Sequence, residues 1–123
     1  MVTAQPMVIN LMTKKENDAL QAFNQRLVTE LGKQAQQIIL FGSKARGDSA
    51  LDSDIDVLIL ADNENTQLRK TICKVSSQIG LDYDVCLGAL LIENKRWKQM
   101  TCERFSICRN IERDGILLFN NAG

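Results

Sequence analysis

The chain has 123 residues, 45% of them hydrophobic, with fifteen Lys and Arg against fifteen Asp and Glu. That suffices for one domain but not two cores, is too apolar for disorder, and provides no bulk positive field to hold nucleic acid. Histidine is absent, which excludes a Ser-His-Asp triad, a Cys-His pair and His-ligated zinc, and leaves acid–base and metal chemistry to carboxylates, Lys, Tyr or Cys.

At the start of the chain, Met1–Met12 is apolar but broken by Pro6 and Asn10 and has no basic leader. The expectation is a protein with no secretory signal and no membrane span, located in the cytoplasm. Thr13 with Glu16 three residues on forms a capping box, and Leu20, Phe23, Leu27 and Leu31 then follow at helical spacing up to Gly32. Past the polar run Lys33–Gln37, the apolar run 38–41 predicts a buried strand ended by Gly42. The polar loop Ser43–Ser53 leads to a second strand, Asp54–Leu60, that opens with two carboxylates and continues apolar. Leu68, Ile72, Val75 and Ile79 mark a second amphipathic helix closed by Gly80. Tyr83–Leu87 reads as a third strand with Asp84 inside it, and Ala89 to Arg113 as mostly helical with a break near Thr101. Gly115 turns the chain into a last strand, Ile116–Phe119, before a frayed tail, Asn120–Gly123. The cysteines Cys73, Cys86, Cys102 and Cys108 have no CxxC spacing and are expected as buried, reduced thiols. Alternating strands and helices predict an α+β fold: a single domain over 1–123 with a small mixed sheet flanked by helices.

The chemistry concentrates at Asp54-Ile55-Asp56. Residues i and i+2 of a strand share a face, so the two carboxylates project together, where they repel and resist burial unless a cation joins them. Either they mark a solvated strand start or they bind a hard cation through oxygen. If the strand carrying Asp84 lies alongside, three carboxylates converge, enough to hold two Mg²⁺ ions for phosphoryl displacement. Asp82 competes for the third place but reads as a turn residue, and Asp84 could instead pair with an Arg. Upstream, Gly42-Ser43 lets a phosphate approach the backbone, with Lys44 and Arg46 adding positive charge. Lys95-Arg96-Trp97-Lys98 reads as a solvated helix face over a buried Trp97, with partner contact as the other choice.

The segments 41–48 and 53–59, with ten residues between Ser43 and Asp54, closely resemble the Gly-Ser…Asp-x-Asp motif of the DNA polymerase β-type nucleotidyltransferase superfamily. Tyr83-Asp84-Val85 looks like that superfamily's third-carboxylate strand, and 111–119 is similar to the closing segment of its one-domain members. The likeness spans about residues 35–119 and is greatest to the minimal nucleotidyltransferase (MNT) group. It implies a polymerase β-like fold and Mg²⁺-dependent transfer of a nucleoside monophosphate from ATP or another NTP, with two Mg²⁺ ions, or Mn²⁺, as cofactor. By the same likeness Asp54, Asp56 and Asp84 are catalytic and metal-binding, Asp84 activating the acceptor hydroxyl, while Gly42, Ser43, Lys44, Arg46, Asp54 and Asp56 bind the nucleotide. Many MNT proteins serve as the antitoxin of a HEPN-domain RNase toxin, and some attach AMP to a tyrosine of that partner. The implied function is therefore a protein adenylyltransferase in a homo- or hetero-oligomer, with a HEPN toxin as partner and without membrane or direct nucleic-acid binding. The alternatives are a small-molecule (aminoglycoside-like) nucleotidyltransferase completed by another subunit, and a non-catalytic nucleotide- or toxin-binding antitoxin.

Overall fold

The computed structural model describes residues 12–47 and 54–121. The first helix, α1 (Lys14–Leu31), begins where its capping box predicts: Glu16 N–H donates to Thr13 Oγ1 (3.1 Å) and Thr13 N–H donates to Glu16 Oε1 (2.9 Å). Its buried stripe includes Leu20, Phe23, Leu27 and Leu31, and Gly32 ends it at φ 54°, a conformation that favours glycine. A 3₁₀ turn (Gly32–Gln34) leads into β1 (Ala35–Phe41), which starts earlier than its apolar run because Ala35 and Gln37 already pair with β2.

The short helix α2 (Ser43–Arg46) follows at once, then β2 (Ile55–Ala61), α3 (Thr66–Tyr83), β3 (Leu87–Glu93), α4 (Asn94–Cys102), α5 (Ser106–Asp114) and β4 (Ile116–Asn120). The strands form one mixed sheet in the order β3-β2-β1-β4, with β2 and β3 parallel and the other neighbours antiparallel. This is the α+β architecture expected. The β2–α3–β3 segment is a crossover unit, which puts β2 in the interior of the sheet, buried on both faces.

The alternation of β2 sorts its side chains. Ile55, Val57, Ile59 and Ala61 pack into the core that α1 and α3 close; Leu58 and Leu60 join Ile92, Met100, Cys108 and Ile111 beneath α4 and α5. Asp56 alternates with Leu58 and so lies on the α4–α5 side, at the end of the strand where that second core stops.

Three assignments shift. Helix α3 runs past Gly80 to Tyr83, because Gly80 is a point of close approach rather than a cap: a Cβ there would lie 3.0 Å from the Val85 carbonyl oxygen. The third strand accordingly starts at Leu87, not Tyr83, and Ala89–Glu93, expected as helix, is the body of that strand. The cysteines are free as expected, but Cys73, Cys86 and Cys102 are exposed and Cys108 is the buried one. The helical break near Thr101 holds, with α4 ending at Cys102, and Asn120 belongs to β4 rather than to a frayed tail. Among the described residues no helix is long and apolar enough to cross a membrane. Residues 1–11, 48–53 and 122–123 lie outside the described residues, and with them part of the segment expected as a polar loop.

Gly115, between α5 and β4, is packed without space: a Cβ would sit 2.5 Å from the Ile111 carbonyl oxygen and 3.0 Å from Ile39 Cγ2. Gly115→Ala should therefore destabilise the protein by about 1–3 kcal/mol, as overpacking does, read as a lower midpoint in urea denaturation with an unchanged slope.

Candidate functional site

Asp54 and Asp56 stand at the opening of β2. Asp54 is exposed; Asp56 is half-buried, paired in register with Phe41 on one side and Gly88 on the other. Among the described residues, neither carboxylate has a hydrogen-bond or ion-pair partner. Burial, and then the neighbouring charge of Asp54, push the Asp56 carboxyl above the usual carboxylate range.

Two glycines keep Asp56 uncovered. Gly42 follows β1 at φ 78°, and a Cβ on it would lie 2.7 Å from Asp56 Oδ2. On the other side a Cβ on Gly88 would lie 3.1 Å from Asp56 Oδ1. Both oxygens thus lie against bare backbone, the arrangement that leaves a carboxylate open to an outside ligand. Two adjacent carboxylates without a partner among the described residues, Asp56 with raised proton affinity, suit a hard divalent cation, which takes oxygen ligands and relieves their repulsion.

The Gly42-Ser43 turn is held from behind. The Ala45 and Arg46 N–H groups both donate to the Gly42 carbonyl at 3.1 Å, and Gly47 N–H donates to the Ser43 carbonyl at 2.8 Å. Lys44, expected to face nucleotide, points the other way. Its side chain is 2% exposed, and its Nζ lies 2.6 Å from Glu16 Oε2. A buried ammonium needs an anion, and α1 supplies one whose other oxygen already caps the helix. Lys44 is therefore a positioning residue that ties α2 to α1. Arg46 is exposed, and its charge reaches Asp114, whose carboxyl is held low first by the Arg113 hydrogen bond and, last and least, by Arg46.

Asp84 is not where the strand pattern placed it. It ends α3 in the left-handed conformation (φ 55°, ψ 53°), its carboxylate is 99% exposed, and its Oδ2 lies 3.6 Å from Lys15 Nζ. The chain extends into β3 only afterwards, so the residue beside Asp56 is Gly88. Among the described residues no group of three His, Cys, Asp or Glu could hold a metal ion. Asp54, Asp56, Gly42 and Ser43 come together as the sequence indicates; Asp84 and Lys44 do not join them. Glu16 was legible only as a cap, and Gly88 gave no signal. Trp97 packs, partly buried, against the second core while Lys95, Arg96 and Lys98 are exposed.

Comparison with known proteins gives a consistent result. The family model described as nucleotidyltransferase domain matches residues 20–118. Two curated proteins of Methanocaldococcus jannaschii, each named as a candidate protein adenylyltransferase, are similar: one is 36% identical over 75 residues, 60% of this chain and 76% of the relative. The other is 29% identical over 104 residues, 85% of this chain and 98% of the relative. A solved toxin–antitoxin structure with AMP-PNP shares the fold at TM-score 0.57 and 17% identity, over 89% of this chain and 76% of that one. A complex of a tri-AMPylated Shewanella oneidensis HEPN toxin with an MNT antitoxin does so at TM-score 0.50 and 17% identity, over 84% and 73%.

The Glu16 carboxyl has its own pH signature. Burial pushes its pKa up, but the hydrogen bonds from Lys44 and Thr13 and the Lys44 charge together hold it below the ordinary value. A lowered carboxylate pKa contributes stability that is present above the unfolded-state value and lost as pH falls through the folded one. Glu16→Gln should flatten this acid limb of a stability–pH curve. At neutral pH, Lys44→Met should cost about 3–5 kcal/mol by stranding a buried carboxylate, with partial recovery in the double variant.

Proposed function

This chain belongs to the nucleotidyltransferase domain family, and we propose that it transfers AMP from ATP to a hydroxyl of a partner protein. The observation that carries this reading is the Asp54–Asp56 pair, without a partner among the described residues, beside the Gly42-Ser43 turn, with Asp56 left uncovered by Gly42. The names of the relatives support the adenylyl group and the protein acceptor. We read the partner as a HEPN-type toxin, and the chain as the antitoxin of the pair, in keeping with the toxin–antitoxin complexes that share its fold.

Asp54 and Asp56 hold Mg²⁺, or Mn²⁺, and when bound the cation offsets the charge of the triphosphate. Gly42 keeps the backbone clear where the phosphates approach, Ser43 offers its hydroxyl, and Arg46 stands exposed at the rim to meet phosphate charge. Lys44 and Glu16 hold the turn in place. The acceptor oxygen attacks the α-phosphorus: an O–P bond forms, the bond to pyrophosphate breaks, and the hydroxyl proton leaves to water. Asp54 and Arg46 are exposed at this place, so the acceptor's own protein can approach it and supply further binding surface.

Incubation with ATP labelled at the α- or the γ-phosphate tests this reading. The purified chain alone should transfer almost nothing; with its partner present, α-label should appear on the partner and γ-label should not. Asp54→Asn and Asp56→Asn should abolish the labelling, while Asp56→Asn raises the thermal midpoint at neutral pH. A carboxylate whose pKa is raised in the folded state destabilises progressively as pH rises through that value, and the variant removes this. Transfer of γ-label would indicate a kinase. Efficient labelling of an aminoglycoside without any partner would favour a small-molecule acceptor.

A further inference from the structure

We propose that Gly88 limits the cation capacity of this site: no carboxylate stands on β3 beside Asp56, so the described residues bring two carboxylates, Asp54 and Asp56, and the remaining oxygen ligands come from the triphosphate, the acceptor and water. This rests on the reading of Asp54 and Asp56 as cation ligands. Asp56 and Gly88 are paired neighbours on parallel strands, and the 3.1 Å between a Cβ at position 88 and Asp56 Oδ1 puts both side-chain directions on the same face. An acidic side chain at 88 would therefore share a cation with Asp56.

The nearest upstream acid cannot replace it from its place in the fold. Asp84 lies beyond the start of β3, on the left-handed residue that ends α3, with its carboxylate in solvent and directed at Lys15. A hard divalent cation takes six or more oxygens, and two cations a few ångströms apart each need their own share. Asp54 and Asp56 alone leave most of those positions open. The site is thus built to bind cation weakly by itself and to complete the ligand set only when nucleotide and acceptor arrive together, a coupling that suits an enzyme inert without its partner.

Mn²⁺ titrated into the nucleotide-free protein and followed by electron paramagnetic resonance gives the test. Gly88→Asp should bind Mn²⁺ at least tenfold more tightly than the unaltered chain, Gly88→Asn should show no such gain, and Asp84→Asn should bind as the unaltered chain does. A folded Gly88→Asp with unchanged affinity overturns the inference. So does weakened Mn²⁺ binding in Asp84→Asn, a substitution at an exposed helix end that the fold tolerates even if Gly88→Asp does not fold. Mn²⁺ binding that survives in both Asp54→Asn and Asp56→Asn would instead overturn the reading of the site itself, and the inference with it.

Discussion

Asp54 and Asp56 hold like charges on one face of a strand whose next residues are buried on both sides of the sheet. The fold does nothing to neutralise them: no cation of the described residues pairs with either, and the residues flanking Asp56 withdraw their side chains instead of offering one. Burial of Asp56, and then the charge of Asp54, push its carboxyl above the usual range, so the ionised pair costs stability in the free protein. A chain of this size has little stability to spare, so the cost is informative. The divalent cation and phosphate ligands proposed for this place would offset it.

Much of the surrounding structure serves to keep that place fixed. The hydrophobic faces of α1 and α3 clamp one side of the sheet, and α4 with α5 covers the other side only up to Leu58. The turn before α2 is the piece with least packing of its own, being one helical turn between two glycines of positive φ. It is secured by a buried charge as well as by Ala45 packing on the main core: Lys44 reaches Glu16, and Glu16 in turn is secured by the cap it makes with Thr13. Breaking one member strands the other in a low-dielectric interior. A buried ion pair here specifies where the Gly42-Ser43 turn sits against Asp56.

What could be read from the sequence follows from the range of each signal. The helices α1 and α3 and the strands β1, β2 and β4 are encoded in short patterns of spacing and capping, and these stand apart from their exact ends; of the Gly42–Ser43 and Asp54–Asp56 motifs, the fold sets Gly42 against Asp56. The third strand is displaced because Tyr83-Asp84-Val85 alternates like a strand and Gly80 looks like a helix end. In the fold, Gly80 serves to let the returning chain pass closely, and Val85 N–H donates to its carbonyl at 3.0 Å. Ala89–Ile92 has helical composition, but pairing with β2 overrides propensity there. The partner of Lys44 and the neighbour of Asp56 are long-range facts, and no local pattern contains them.

Asp54 and Asp56 are proposed to hold a nucleotide through a divalent cation. Calorimetric titration of a non-hydrolysable ATP analogue, with Mg²⁺ and then with EDTA, tests this. Saturable binding is expected in Mg²⁺ and should weaken at least tenfold in EDTA, since without the cation the triphosphate meets two uncompensated negative charges. Equal affinity under the two conditions would contradict it.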